Sequence, residues 1–293
     1  MMQTMKTDNP GASPEAIQYH YDIGNDFYRL WLDSTLTYSG ALWKEGDTLE
    51  SAQQHKIDWH INQARAHGAT RVLDVGCGWG SVLRRLVDVH GVERAVGLTL
   101  SAAQLQWIMA FNHPQLEVRL ESWSDHVPDE PYDAIISLGA FEHFAQFASS
   151  NAEKVEGYRA FFARCHAWLK PGGWLSLQTM AYGDLSRDKH HSDLFIANDI
   201  FPQSDFPRLA DIAEASERIF EVVLMRNDRS DYVRTYREWF NRLRAQRTEA
   251  VRLVGEEVVA RYERYLRMFS YSFELGAFSL LRLALRRIDR LRK

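Results

Sequence analysis

The stretch Arg71-Val72-Leu73-Asp74-Val75-Gly76-Cys77-Gly78-Trp79-Gly80 limits what this chain can fold into more than any other. A short apolar run stops at three alternating glycines, and behind it Val82, Leu83, Leu86 and Val89 recur at helical spacing. The pattern is strand, tight loop, helix. Glycine in such a loop lets the backbone take positive φ and lets a ligand approach the main chain closely. A dinucleotide fold wants G-x-G-x-x-G, with the pyrophosphate on the helix N-terminus and an acid beyond the next strand. Here the spacing is G-x-G-x-G, and the next strand ends in Gly97-Leu98-Thr99 without an acid. Nicotinamide dinucleotide binding is therefore disfavoured. Asp74, two residues before the first glycine, offers negative charge to a cationic ligand.

The same grammar repeats along the chain. Strands are expected at 95–98, 116–120, 134–138 and 174–180, with a further one at 222–225. The run Ala134-Ile135-Ile136-Ser137-Leu138 suits a strand buried on both faces. Ser101 is placed to cap the helix after the second strand, and Asn25 or Asp26 to cap a helix entered through Ile23-Gly24. A helix over 155–169 is expected to stop at Lys170-Pro171-Gly172-Gly173. Alternating strands and helices predict an α/β fold with a mostly parallel, Rossmann-like sheet of about seven strands, binding ligands beyond the strand C-termini. Residues 1–14 read as a flexible tail and 15–70 as an aromatic-rich helical cover. Residues 71–293 read as the main domain, with a polar insertion at about 182–220 and a largely helical stretch over 211–270.

The chain has 293 residues and a net charge of −4, so no overall cationic field argues for nucleic acid. No apolar run reaches membrane-spanning length, and the polar N-terminus is unlike a secretory signal. Two cysteines, Cys77 and Cys165, make no disulfide framework, which fits a reducing cytoplasm. His190 and His191 lack partners at metal-ligand spacing, so no metal is expected. From Arg226 to Lys293 there are 17 basic and 9 acidic residues. That excess suits either solvated helix faces or peripheral contact with anionic lipid or an anionic substrate group. Oligomeric state is not legible.

The strand, Asp74, glycine loop and helix resemble the first motif of class I S-adenosylmethionine methyltransferases. Further blocks sharpen the resemblance. They are Tyr19-His20-Tyr21-Asp22-Ile23-Gly24-Asn25-Asp26-Phe27-Tyr28, Thr37-Tyr38-Ser39, Gly97-Leu98-Thr99-Leu100-Ser101 with Gln104, and Ser137-Leu138-Gly139-Ala140-Phe141-Glu142-His143-Phe144. Leu169-Lys170-Pro171-Gly172-Gly173, Ile200-Phe201-Pro202 and Asp231-Tyr232-Val233-Arg234-Thr235 with Trp239 follow in order. Together, over residues 18–240, they resemble the cyclopropane fatty acid synthase and mycolic acid cyclopropane synthase family. The likeness weakens beyond residue 240.

The resemblance implies S-adenosylmethionine as methyl donor, held by Tyr38, Ser39, Asp74, Gly76, Cys77, Gly78, Gly80, Thr99, Gln104, Trp123 and Ser124. It implies an apolar, alkene-bearing acyl substrate or small metabolite. An alkene is a weak nucleophile, so methyl and double bond must be held in line. Attack leaves a carbocation, which aromatic faces stabilise. In the family a bound bicarbonate then takes a proton from the new methyl group and the ring closes. The family's bicarbonate ligands match Glu142 and Tyr232 here, but its Cys falls on Gly40 and its His on Gln178. Two changed ligands out of four count against bicarbonate. The expected catalytic set is Glu142, Tyr232 and Gln178, with His143 beside Glu142 as a further member that a structural role explains better, since adjacent residues point different ways. C-methylation without ring closure is the leading reading. Cyclopropanation, with Gln178 and the Gly40 backbone serving instead, and an inactive cofactor-binding scaffold are the alternatives.

Overall fold

The computed structural model describes residues 11, 13, 23–184 and 203–289. Most of the tail, the signature residues Tyr19 to Asp22, His190, His191 and Ile200-Phe201-Pro202 lie outside the described residues.

Seven strands form one sheet: β1 Arg71–Val75, β2 Arg94–Thr99, β3 Leu116–Leu120, β4 Tyr132–Leu138, β5 Leu169–Tyr182, β6 Phe220–Asn227 and β7 Phe278–Arg287. Their order is β3-β2-β1-β4-β5-β7-β6. The first five run parallel, with Val72 level with both Ala95 and Ala134. β7 is antiparallel to both β5 and β6. The strand order reverses at β1, between β2 and β4, and the crevice beyond that point is where such sheets bind ligands.

Helices cover both faces. α2 Leu49–Gln63, α3 Ser81–Asp88 and α4 Ala102–Met109 pack on one, through Ile57, Ile61, Leu83, Leu86 and Ile108. α5 Asn151–Trp168 and α6 Leu209–Ser216 pack on the other, through Tyr158, Phe161, Phe162 and Ile212. Leu73 and Val75 bury in this second cluster while Val72 buries in the first, as strand alternation requires. A third core lies beyond the strand tips. It joins α1 Asn25–Arg29 to α7 Arg229–Ala245, α8 Arg247–Val254 and α9 Glu256–Leu275, mostly through tyrosine, tryptophan and phenylalanine rings. No helix among the described residues is long and apolar enough to cross a membrane.

Several sequence expectations shift. Neither Asn25 nor Asp26 caps α1; the cap is Gly24, and Asn25 Oδ1 instead accepts a bond from Trp79 Nε1 at 2.8 Å. Ser101 does cap α4. α5 begins four residues earlier than expected, because Ser150 and Glu153 form a capping box, and β5 follows it directly at Leu169. α6 packs on α5 as part of the helical layer, so the extra segment between β5 and α6 is shorter than the expected 182–220. β7 was not anticipated, because Arg282 interrupts its apolar run and its partner strands are distant in sequence.

Candidate active site

The loop after β1 turns through Gly76, Gly78 and Gly80, at φ 79°, 54° and 83°. The backbone N–H groups of Gly76 and Cys77 both donate to Leu98 O, at 3.0 and 2.9 Å, tying the loop to the tip of β2. A Cβ on Gly76 would meet Ala140 Cβ at 2.4 Å, so glycine is required there on two counts. The loop floors a groove lined by Tyr38, Ser39, Asp74, Gly76, Cys77, Gly78, Thr99, Gln104 and Trp123. Two expected residues differ. Gly80 caps α3 outside the groove lining, and Ser124 turns its hydroxyl to Ser122 at 2.9 Å, leaving Ser122 and Glu121 on the wall.

Charge in the groove rests on Asp74. It is 1% exposed and its carboxylate makes no hydrogen bond among the described residues; burial pushes its carboxyl up to about 7. Lys56, fully buried, partly opposes that rise and braces the site by donating to Ser39 Oγ at 2.7 Å. Burial and Arg282 push Lys56 itself down to about 7. At the far side Thr99 Oγ1 donates to Gln104 Oε1 at 2.7 Å and accepts from Ser101 N at 3.1 Å. Cys77 is buried with its thiol pushed well up by desolvation, which leaves it a small wall residue rather than a nucleophile.

Behind Tyr38, Ser39, Gly139 and His143 the groove meets a second, smaller cavity of about 20 Å³, also lined by Glu142, Gln178, Met180, Tyr232, Tyr265 and Leu280. All four expected catalytic residues therefore line one chamber. Glu142 lies in a short 3₁₀ turn, Phe141–His143, just past β4. It is 2% exposed; Oε1 accepts from Met180 N at 2.6 Å, and Oε2 has no hydrogen-bond partner. Burial raises its carboxyl to about 7, against the pull of that N–H and of its own backbone N–H. His143 pairs with Ser204 Oγ at 2.6 Å, and burial lowers it to about 4, so it is neutral near pH 7. Tyr232, in the first turn of α7, stacks on Tyr236 with ring centroids 4.4 Å apart.

Tyrosines close the chamber. Tyr38 donates to Tyr265 at 3.3 Å, and the hydroxyls of Tyr236 and Tyr265 lie 3.2 Å apart. Gly40 is hemmed in: a Cβ there would meet Leu280 Cδ2 at 2.6 Å and the Tyr232 ring at 3.1 Å. Gln178 Oε1 accepts from Arg282 Nε at 2.8 Å, with His60 Nε2 at 3.4 Å. Lys56, His60, Tyr265 and Arg282 were not singled out from the sequence. The signal for Arg282 was a lone charge inside Leu280-Leu281-Arg282-Leu283, and for Lys56 a cation one residue before Ile57 on an apolar helix face.

Part of the C-terminal basic charge is paired: Arg242 with Glu50 and Glu238, Arg247 with Glu256 and Glu263, Arg252 with Glu249. Among the described residues no three His, Cys, Asp or Glu side chains are grouped to hold a metal ion.

Comparison with known proteins follows the same lines. Residues 9–283 match the mycolic acid cyclopropane synthetase family. Cyclopropane mycolic acid synthase 2 of Mycobacterium leprae is 35% identical over 272 residues, covering 86% of this chain and 87% of that protein. Cyclopropane mycolic acid synthase 1 of Mycobacterium tuberculosis is 35% identical over 278 residues, covering 89% and 92%. Among solved structures, the cyclopropane synthase MmaA2 from Mycobacterium tuberculosis superposes with a TM-score of 0.85 at 32% identity, covering 96% of this chain and all of that one. The mycolic acid cyclopropane synthase CmaA1, solved with S-adenosylhomocysteine and the detergent CTAB, gives 0.84 at 31% identity with the same coverage.

Proposed function

This chain belongs to the mycolic acid cyclopropane synthetase family, and from that premise we propose that it is an S-adenosylmethionine-dependent enzyme that methylates an alkene carbon of an apolar substrate. One observation carries the reading: a groove with an unpartnered buried carboxylate, Asp74, runs into an aromatic chamber holding a second one, Glu142. A solvent-excluded anion without a partner is costly unless it protonates or meets a cation. The donor is a cationic sulfonium with an ammonium group, so it suits Asp74, with the glycine loop giving close backbone approach and Thr99, Gln104 and Trp123 forming the far wall. When bound there it supplies an electrophilic methyl group.

The chain's own residues do the rest. Tyr38, Ser39 and Gly139 stand where groove and chamber meet and set the line between donor and acceptor. The faces of Tyr232, Tyr265 and their neighbours favour positive charge on the substrate and keep water out. Glu142 Oε2 takes up the proton that the methylated substrate must lose. With its carboxyl near 7 it is half ionised at neutral pH and well matched to a general base.

The chamber supplies fewer side-chain ligands than the bicarbonate implied by the family resemblance would use. Gly40 has no side chain to offer where the family has a Cys, and Gln178 stands where the family has a His. C-methylation with proton loss to Glu142 is thus favoured over ring closure. The test is calorimetry with S-adenosylhomocysteine, then label transfer from methyl-labelled donor to unsaturated acyl substrates. Micromolar affinity and a methyl-branched alkene by NMR are expected. No affinity overturns the reading, and cyclopropyl protons in the product overturn the preference for methylation.

A further inference from the structure

Arg282 is the largest buried charge that the proposed chemistry does not use. It sits in the middle of β7 at 0% exposure. Its guanidinium is fully engaged: Nε to Gln178 Oε1 at 2.8 Å, Nη2 to the carbonyls of Gly40 and Ala41 at 3.0 and 2.8 Å, and Nη1 to Asp228. These contacts join the two positions, 40 and 178, where the chain departs from the bicarbonate ligand set.

The chemistry of that contact fixes the amide. Arginine has donors only and cannot accept, so the Gln178 carbonyl must face it and the amide cannot flip. The Gln178 NH₂ then points away from Arg282. It makes no hydrogen bond among the described residues, is not a fully enclosed orphan, and belongs to a residue that lines the small cavity. Glu142, whose Oε2 has no hydrogen-bond partner, lines the same cavity. Gln178 and Glu142 are 1% and 2% exposed, so what they bind must come from the substrate side.

Resting on the methyltransferase reading above, we propose that Arg282 is a positioning residue that presents the Gln178 amide as a donor opposite Glu142, so that the pair grips one hydroxyl group of the substrate. A hydroxyl matches both partners: its oxygen accepts from Gln178 Nε2 and its hydrogen is donated to Glu142 Oε2. The cavity, about 20 Å³, takes one such group. Because Tyr38, Ser39, Gly139 and His143 line both the cavity and the donor groove, the hydroxyl lies close to the reacting carbon. The substrate class is then an alkene bearing a nearby hydroxyl, an allylic or homoallylic alcohol.

The experiment uses the full chain saturated with S-adenosylhomocysteine. The probes are oct-1-en-3-ol and 3-methyloct-1-ene, which differ by a hydroxyl against a methyl group, and titration calorimetry reads their affinities. A site built to hydrogen-bond a hydroxyl rejects the analogue lacking it, and a preference of about tenfold or more is expected. R282M frees the amide to turn and is expected to bring the preference below about twofold while S-adenosylhomocysteine still binds. Q178L removes the donor, while also taking the acceptor from Arg282 Nε, and is expected to do the same. It also keeps the proposal testable if R282M does not fold. Equal affinity for the two probes in the wild-type chain overturns the proposal, as does a preference that survives Q178L. ¹³C-bicarbonate binding to the saturated chain also overturns it. Failure to bind S-adenosylhomocysteine at all overturns the methyltransferase reading instead, so the two failures are distinguishable.

Discussion

The donor groove and the reaction chamber share a wall at Ser39 and Gly139, yet they are assembled in opposite ways. The groove is mostly local. Asp74, the glycine loop, Thr99 and Gln104 come from two consecutive strand–loop–helix units, and its strongest charge is left without a partner. The chamber is built from distant pieces: Tyr38 before α2, Glu142 after β4, Gln178 in β5, Tyr232 in α7 and Tyr265 in α9. Its walls are already packed, ring on ring. The groove is thus specified by local sequence and the chamber by long-range packing.

The sharpest way to separate the two regions is to disable each carboxylate. E142Q is expected to lower label transfer by about 10²–10⁴-fold while S-adenosylhomocysteine affinity stays within about twofold. If Glu142 is the base proposed above, turnover of the wild-type chain is expected to rise with pH through about 7, as its carboxyl ionises. E142Q is expected to flatten that limb in a pH–rate profile.

The same substitution reports on stability with the opposite sign. Burial raises Glu142 in the folded chain to about 7, so the folded state holds that proton more tightly than the unfolded state. Stability from this group is present in full below the unfolded value and is lost as pH rises to about 7. Relieving a buried charge, E142Q is expected to raise the melting temperature at pH 8, an effect of about 2–3 kcal/mol by linkage.

D74N tests the other side of the comparison. It is expected to weaken binding of S-adenosylmethionine by about tenfold or more, roughly the loss of one charge-assisted contact. The hydroxyl preference of the chamber is expected to persist. A D74N chain that binds the donor normally would show that the groove does not depend on its carboxylate.

G40C places a thiol at the family's ligand position. Its Cβ would press on Leu280 and the Tyr232 ring, so a loss of about 1–3 kcal/mol in chemical denaturation is expected, with no gain of bicarbonate binding. The smallest effect is expected from N25A. It removes the bond from Trp79 Nε1 that ties α1 to the glycine loop, at a cost of about 1 kcal/mol.

The same division explains what the sequence revealed. β1, its Asp74 and the glycines were legible because strand, turn and helix follow within a few residues, each with its own composition signal. Glu142 was legible for a like reason, standing at the end of a buried apolar strand. β7 and Arg282 were not, because an antiparallel strand inserted between β5 and β6 is specified by partners about a hundred residues away in β5 and about sixty away in β6, and no local pattern encodes that pairing. Residue order also hid the neighbours of Gly40. Only in the fold does the space a side chain would need prove to be filled by Leu280 and Tyr232.

One consequence of the Gln178–Arg282 contact reaches beyond this molecule. A guanidinium stays charged at any physiological pH, so whatever stands at position 178 must keep an acceptor turned toward it. Histidine alone at 178 would have to give up its own proton on that side, and removing Arg282 alone would leave the carbonyls of Gly40 and Ala41 without that donor. The two sites are therefore tied in descent: lineages are expected to exchange both or neither, and an alignment of relatives can be read for that linked inheritance.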